Sequence, residues 1–307
     1  MRIMFMGTPE IAVSCFEALT KKHEVCCVVT KTDKPKGRGK AIAFSAVKEK
    51  ALQKGIDIIQ PTTLKDGRFI EVLEKYKPDV IVVVAFGLIL PKYVLDYPRF
   101  GCINLHVSLL PKYRGAAPIQ WCIARGEKVG GITTMLMDEG LDTGDILLKS
   151  EVLITPEMTA GELHDIYCER GADLLLETLD RLEKGTITPE KQDDSAHTYA
   201  PMLTNDNTRI NWSDTAENII NLVRGMNPYP TAHTVLSGKK LKVYHCHKAE
   251  YNGNAKAGTV VSADGALIVA CGDGAVSIDE LALEGKKRMR TADFLRGYKV
   301  GDGTVLG

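Results

Sequence analysis

The chain lacks the run of about 20 apolar residues that a membrane-spanning helix requires. Its longest apolar stretch, Val80 to Leu90, stops at Pro91 after 11 residues and is expected to be a buried strand and its exit. An export signal is not evident either, because Gly, Thr, Pro and Glu interrupt the opening MRIMFMGTPE before a secretory core can form. A surplus of one charge is also missing. With 39 basic and 39 acidic residues, the composition does not announce a strongly basic nucleic-acid binder, and DNA is not expected as a partner. Residues 206–307 carry 13 basic and 11 acidic side chains, so the balance hardly changes along the chain. Any contact with RNA must rest on local clusters.

Several nucleotide and hydrolase motifs are absent. The first turn, Gly7-Thr8-Pro9-Glu10, is not a G-x-G-x-x-G, and no G-x-x-x-x-G-K-[ST] occurs, so neither a dinucleotide nor a nucleoside triphosphate is supported. No G-x-S-x-G surrounds Ser108, whose hydroxyl is as well explained by satisfying loop backbone as by touching a substrate. The eight cysteines form no C-x-x-C pair and sit mostly in apolar segments. Buried free thiols in a reducing compartment, the cytoplasm, are expected. His245-Cys246-His247 sets two imidazoles on one strand face, but the sequence points to no further ligands, and no metal is expected.

What the sequence does contain is an alternation of apolar, β-branched runs at 2–6, 24–30 and 79–86 with helical patterns at Ile11–Leu19 and Ser45–Lys54. Strands alternating with helices imply an α/β domain with an open, mostly parallel sheet. A further helical pattern, Thr159–Lys184, closes this first domain, assigned to residues 1–186. Residues 187–206, rich in Thr, Asp, Gln and Pro, are expected to be a linker packed on the surface. After a short helical stretch at Ala216–Arg224, the remainder of 207–307 has short runs such as LKVYHCH, GALIVAC and GAVSIDEL between glycines, the pattern of a small β-barrel.

The chemistry is concentrated in GCINLHVSLLP. Read as a strand, it turns Asn104 and His106 to the same side among apolar neighbours, where polar groups must find partners or be held for a substrate. It ends where ligands collect in open α/β sheets, at the carboxyl ends of strands. Farther on, GLDTGD offers Asp142 and Asp145, which on their own suit a turn.

The segments NLHVSLLPKYRGAAPIQW and GGITTMLMDEGLDTGDIL, together with IMFMGTPEIAV, KTDKPKGRGK, VVVAFGLILP, RGMNPYP and CGDGAVSI, resemble the folate-dependent formyltransferases over nearly the whole chain. The resemblance implies a Rossmann-like N-terminal domain, an OB-like C-terminal barrel, and 10-formyltetrahydrofolate as formyl donor. It makes Asn104, His106 and Asp142 the catalytic set. An amide can donate to the oxyanion that develops during formyl transfer, and an imidazole can share that role or move protons. A carboxylate beside the ring would hold its orientation. The donor site expected on the same ground comprises Phe86, Gly87, Leu88, Ser108, Leu109, Leu110, Pro111 and Asp138, although core packing explains the apolar members equally well.

For the acceptor, the resemblance points to the amino group of methionine on initiator tRNA. The basic segment holding Lys36, Arg38 and Lys40 matches the loop with which the tRNA-directed members engage the acceptor arm, and Lys286, Lys287 and Arg288 would suit phosphates in the barrel. A monomer is expected. The rival enzyme reading keeps the donor but formylates a small phosphorylated or nucleotide-linked amine. A vestigial RNA-binding protein would be expected to lose Asn104, His106 or Asp142, and all three are present.

Overall fold

Residues 1–36 and 41–307 are described by the structure, a computed structural model. Arg38, Lys40 and the side chain of Lys36 therefore lie outside the described residues. The chain forms two compact units, one of Met1–Gly115, Gly130–Val152 and His164–Tyr199, the other of Ala116–Val129, Leu153–Leu163 and Ala200–Gly307. Both are discontinuous, where the sequence pattern suggests continuous domains at 1–186 and 207–307 joined by a linker.

The first unit is built on strands β1 (Arg2–Gly7), β2 (Glu24–Val29), β3 (Ile58–Ile59), β4 (Val80–Val84), β5 (Cys102–His106), β6 (Val129–Leu136) and β7 (Ile146–Leu153). They lie in the order β7-β6-β5-β4-β1-β2-β3. The five strands from β3 to β5 pair in parallel, as the βα alternation implies, and β6 adds antiparallel to β5. All five residues of β4 and all five of β5 are buried, as expected of parallel strands covered on both faces. Helices α1 (Ile11–Lys22), α2 (Ala46–Lys54) and α4 (Ala160–Glu183) follow the expected segments, and α3 (Ile70–Tyr76) is a helix that the sequence pattern does not single out. Ser45 starts α2 by accepting from the Lys48 amide at 3.1 Å. On one face of the sheet the Phe5 and Phe16 rings lie 5.4 Å apart, and Ser14 of α1 donates to the Cys168 carbonyl of α4 at 2.6 Å. The other face packs Met4, Met6, Val83 and Cys102 against Leu73 of α3 and Phe86.

In the second unit, α5 (Ala216–Gly225) precedes an antiparallel sheet of β8 (Ala232–Leu236), β9 (Lys239–Ala249), β10 (Val260–Ser262), β11 (Leu267–Cys271) and β12 (Gly274–Leu283), with the short β13 (Met289–Arg290) beside β12. The order is β8-β9-β12-β11-β10. The C-terminal tail closes it into an OB-like barrel. Gly307 exchanges two bonds with Val235 of β8 (2.8 and 3.1 Å), while Leu306 donates to Gly258 at 2.8 Å and Val260 of β10 donates to Thr304 at 2.7 Å. Residues 116–129 and 153–163 join this unit for identifiable reasons. The helix Pro118–Ala124 packs on α5 at Gly225, where a side-chain Cβ would come within 2.8 Å of the Ala124 nitrogen. Buried Arg224 donates to the carbonyls of Thr155 (3.3 Å) and Met158 (3.1 Å) and to Asn221 (2.9 Å).

The cysteines are free among the described residues, six of them buried. Burial pushes the Cys15 thiol up to about 12 and also raises Cys102 and Cys246, so these behave as small apolar side chains at neutral pH. Among the described residues no helix is long and apolar enough to cross a membrane, and no cluster of His, Cys, Asp and Glu is arranged to hold a metal ion. Leu306 is the apolar residue of the tail that enters the barrel core. Leu306→Ala should lower stability by about 2–4 kcal/mol in denaturant unfolding of the intact chain; a loss under about 0.5 kcal/mol, the range of an ordinary surface substitution, would show that the tail does not hold the barrel shut.

Candidate active site

The carboxyl end of β5 carries Asn104, which pairs across to Val83 of β4 and Met135 of β6, and His106, which pairs with Thr133. Both are buried, at 9% and 6% exposure. Leu105 between them faces the opposite side, where Gly171 of α4 approaches so closely that a Cβ would stand 2.8 Å from the Leu105 side chain. The two polar residues thus share the other face, as a strand period of two requires.

The His106 ring is held through one nitrogen. Its Nε2 lies 2.9 Å from the Tyr113 carbonyl, and since a carbonyl only accepts, Nε2 carries the hydrogen. This leaves Nδ1 as the nitrogen free to gain or release a proton. It faces Asp142, whose Oδ1 is 3.7 Å away. The other carboxylate oxygen of Asp142 accepts from the Gly115 amide at 2.8 Å. Asn104 differs. No group among the described residues hydrogen-bonds its side-chain amide, which is left with its donors and acceptor unspent. The structure therefore brings Asn104, His106 and Asp142 to one place.

Asp142 reaches the ring from a loop whose backbone is closely defined. Its φ of +54° is left-handed, a conformation in which Asp is more at ease than most residues. Two residues on, Gly144 passes so near the Leu136 carbonyl that a Cβ would lie 1.8 Å from that oxygen. Gln192 Nε2 donates to the carbonyls of Asp142 (2.8 Å) and Gly144 (2.7 Å). Its Oε1 accepts from Arg114 Nε (3.1 Å) and Nη2 (2.8 Å), and Nη2 also bonds Asp194 at 2.8 Å. Gln192 belongs to the polar stretch that reads as a linker, and nothing in the sequence marks it. Arg114 lies in the quoted motif without a role of its own there.

The remaining expected donor-site residues divide. Phe86 is fully buried in the sheet core, and Met137 packs against both the cluster containing Phe86 and Leu88 and the cluster of Leu110, Met135 and Ile146. Gly87 takes φ +79°, and a Cβ there would come 2.4 Å from Lys31 Nζ. Ser108 donates to the Lys112 carbonyl at 2.6 Å, which spends its hydroxyl on the loop, and Leu109 fills the space above Gly131. Half-buried Pro111 follows Leu110 in the same loop. Asp138 is exposed and accepts from Thr143 Oγ1 at 2.7 Å and from the Gly140 amide at 3.0 Å, as a turn former does. It borders a cavity of about 540 Å³ with Gly101, Leu136 and Met137, at the amino end of β5 and not at the His106 end. A larger hollow of about 720 Å³ lies in the second unit, lined by His245, Asp279, Glu280 and Arg288 among others.

Acidic partners bear differently on the two basic clusters. In the described part of the first segment, Lys48 binds Asp33 at 2.5 Å and Gln60 donates to it at 2.9 Å; hydrogen bonding from Lys48 and Gln60 holds the Asp33 carboxyl below its ordinary range. Arg288 is tied to Glu280 and lies 4.6 Å from the Tyr244 ring centre. Lys286 and Lys287 stand exposed in the turn between β12 and β13, with no carboxylate partner among the described residues.

Two family models match the chain in continuous segments. The formyl transferase family model matches residues 1–179, and the model of the formyl transferase C-terminal domain matches residues 202–299. Methionyl-tRNA formyltransferase of Clostridium novyi (strain NT) is 50% identical over 308 residues, and that of Acetivibrio thermocellus is 50% identical over 311; in each pair both chains are covered completely. Among solved structures, an N-formyltransferase from Helicobacter canadensis in complex with folinic acid and dTDP-3-aminofucose superposes with a TM-score of 0.67 at 21% identity, covering 91% of this chain and 98% of the other, which speaks to the fold. With a family model over more than half of its length and relatives sharing half of their residues end to end, the chain belongs to the formyl transferase family, among the methionyl-tRNA formyltransferases.

Proposed function

We propose that this protein transfers the formyl group of 10-formyltetrahydrofolate to the amino group of methionine carried by initiator tRNA, as a monomer in the cytoplasm. The observation that carries the reading is Asn104, 9% exposed and with no protein partner for its amide among the described residues, two residues from a histidine whose Nε2 is held by a backbone carbonyl. Full-length similarity to methionyl-tRNA formyltransferases supports the acceptor.

The donor supplies an electrophilic formyl carbon. The amine attacks it, the new C–N bond forms as the bond to the folate nitrogen breaks, and the proton lost by the amine ends on that departing nitrogen. Negative charge develops on the formyl oxygen. Asn104 donates to it, an interaction worth about 10²- to 10³-fold in rate when made only in the transition state. His106, with Nε2 spent on the Tyr113 carbonyl, moves the proton through Nδ1, and Asp142 Oδ1 stands on that side of the ring. General acid–base assistance of this kind contributes about 10²- to 10⁴-fold. Gly87, Leu88 and Pro111, expected donor-site residues that are not buried in the core, would accept the flat pterin, and Lys36, Arg38 and Lys40 with Lys286 and Lys287 would meet phosphates.

Labelled formyl transfer to charged initiator tRNA, compared with free methionine and a nucleotide-linked amino sugar, tests the reading directly. Asn104→Ala and His106→Ala should each lower kcat by about 10²-fold or more while leaving thermal unfolding and tRNA affinity near those of the parent. Near-normal turnover in both variants would remove the site.

Acceptor recognition separates from donor recognition. Arg38→Leu should raise the KM for tRNA and leave folate binding unchanged; weakened folate binding would move the segment to the donor pocket. Replacing Lys286 and Lys287 with Ala should reduce the salt dependence of tRNA affinity by about one unit of slope per lysine. An unaltered slope would take the barrel turn off the RNA.

A further inference from the structure

Taking formyl transfer at Asn104, His106 and Asp142 as its basis, we infer that Gln192, clamped by Arg114, is the positioning residue that sets Asp142 against His106. Three consecutive residues, Tyr113, Arg114 and Gly115, reach both partners of the proposed proton path. The Tyr113 carbonyl accepts from His106 Nε2 (2.9 Å), the Gly115 amide donates to Asp142 Oδ2 (2.8 Å), and the Arg114 side chain holds Gln192. The tripeptide is itself tied to the chain just after Gln192. Tyr113 N donates to Thr198 Oγ1 and Arg114 N to the Thr198 carbonyl, each at 2.9 Å.

The chemistry of the Gln192 amide suits this role closely. A primary amide has two N–H donors and one carbonyl oxygen with two lone pairs. Both donors are spent on the Asp142 loop, one on the Asp142 carbonyl and one on that of Gly144, and the oxygen accepts twice from Arg114. A side chain with every hydrogen-bonding capacity filled has one orientation. Arg114 is in turn 6% exposed and oriented by Asp194, so the clamp is anchored inside the unit. Neither Gln192 nor Arg114 bonds His106. Their influence runs through the loop, where Asp142, at φ +54°, itself supplies one of the two carbonyls that Gln192 grips.

Gln192→Glu is the informative substitution. It keeps the size and the Arg114 contact but replaces the two donors with a carboxylate oxygen that faces two carbonyls. Gln192→Glu and Gln192→Ala should each lower kcat for formyl transfer to charged initiator tRNA by about tenfold or more, with KM values for folate and tRNA changed less than about threefold. In an Asp142→Asn background the same substitutions should cost less than about twofold, because they act through a group already disabled. Amide hydrogen exchange of Gly115 and residues 140–145, read on the full chain without substrate, should quicken by about tenfold in both variants. Should Gln192→Ala fail to fold, the near-isosteric Gln192→Glu carries the test alone.

Parental kcat and exchange in Gln192→Glu would overturn the inference, and so would a loss that multiplies in full with that of Asp142→Asn, the mark of a general strut. A parent protein that formylates no tRNA would instead refute the proposed function. The exchange measurement would then still decide whether Gln192 orders the Asp142 loop.

Discussion

The arrangement at the end of β5 depends on one hydrogen bond, from His106 Nε2 to the Tyr113 carbonyl. An imidazole buried at 6% exposure must satisfy both nitrogens, and the backbone acceptor takes one of them permanently. Everything chemical about the ring is thereby transferred to Nδ1. That nitrogen is useful only if something faces it, and Asp142 does so from a part of the sequence 36 residues away. Asn104, on the same strand face, is treated oppositely and keeps its amide unspent among the described residues. An amide with no protein partner is a hydrogen-bond donor that an incoming oxygen can take up.

Much of this geometry was legible in the sequence because its cause is periodic. Two polar residues spaced i, i+2 in an apolar run must share a face, and a βα alternation with β-branched strands leads to parallel pairing. The helical pattern that begins at Ser45 holds to within one residue, Ser45 itself standing as the cap of α2. The antiparallel addition of β6 and β7 was less legible, since a sheet edge is chosen by tertiary contacts and not by strand pattern. The discontinuity of the units follows from Gly225 and Arg224, whose partners at Ala124, Thr155 and Met158 are far away in sequence. Gln192 is the hardest case. In a Thr-, Asp- and Gln-rich stretch a polar side chain reads as solvated, and only the fold reveals two carbonyls waiting for its amide.

The even charge of the chain acquires meaning at the level of pairs. Arg288 looked like one cation among four in KKRMR, yet Glu280 neutralises it and Tyr244 covers its plane. Exposed ion pairs of this kind contribute about 0–1 kcal/mol to stability, but they remove a charge from the field a phosphate would sense. Lys286 and Lys287 have no such partner among the described residues. A neutral protein can therefore still present local positive charge, provided that its acids are spent on other cations, as Asp33 is spent on Lys48.

The Asp142 loop shows how the first unit sustains a backbone conformation that costs free energy. A non-glycine residue in the left-handed region is less stable by about 1–2 kcal/mol, although Asp is among the residues that visit it most readily. Against this stand the bond from the Gly115 amide and the two from Gln192, each contributing about 0.5–1.5 kcal/mol net. Together these bonds are comparable to or larger than the cost, and they hold the carboxylate beside the ring. Gly144 adds a steric condition, because the Leu136 carbonyl leaves no space for a Cβ and thus no latitude for the loop to shift around a larger residue. Two side chains from distant segments keep a fixed separation only through what holds their loops, and around Asp142 these holds are a backbone amide that cannot ionise and the Gln192 amide, whose donors and oxygen are all paired.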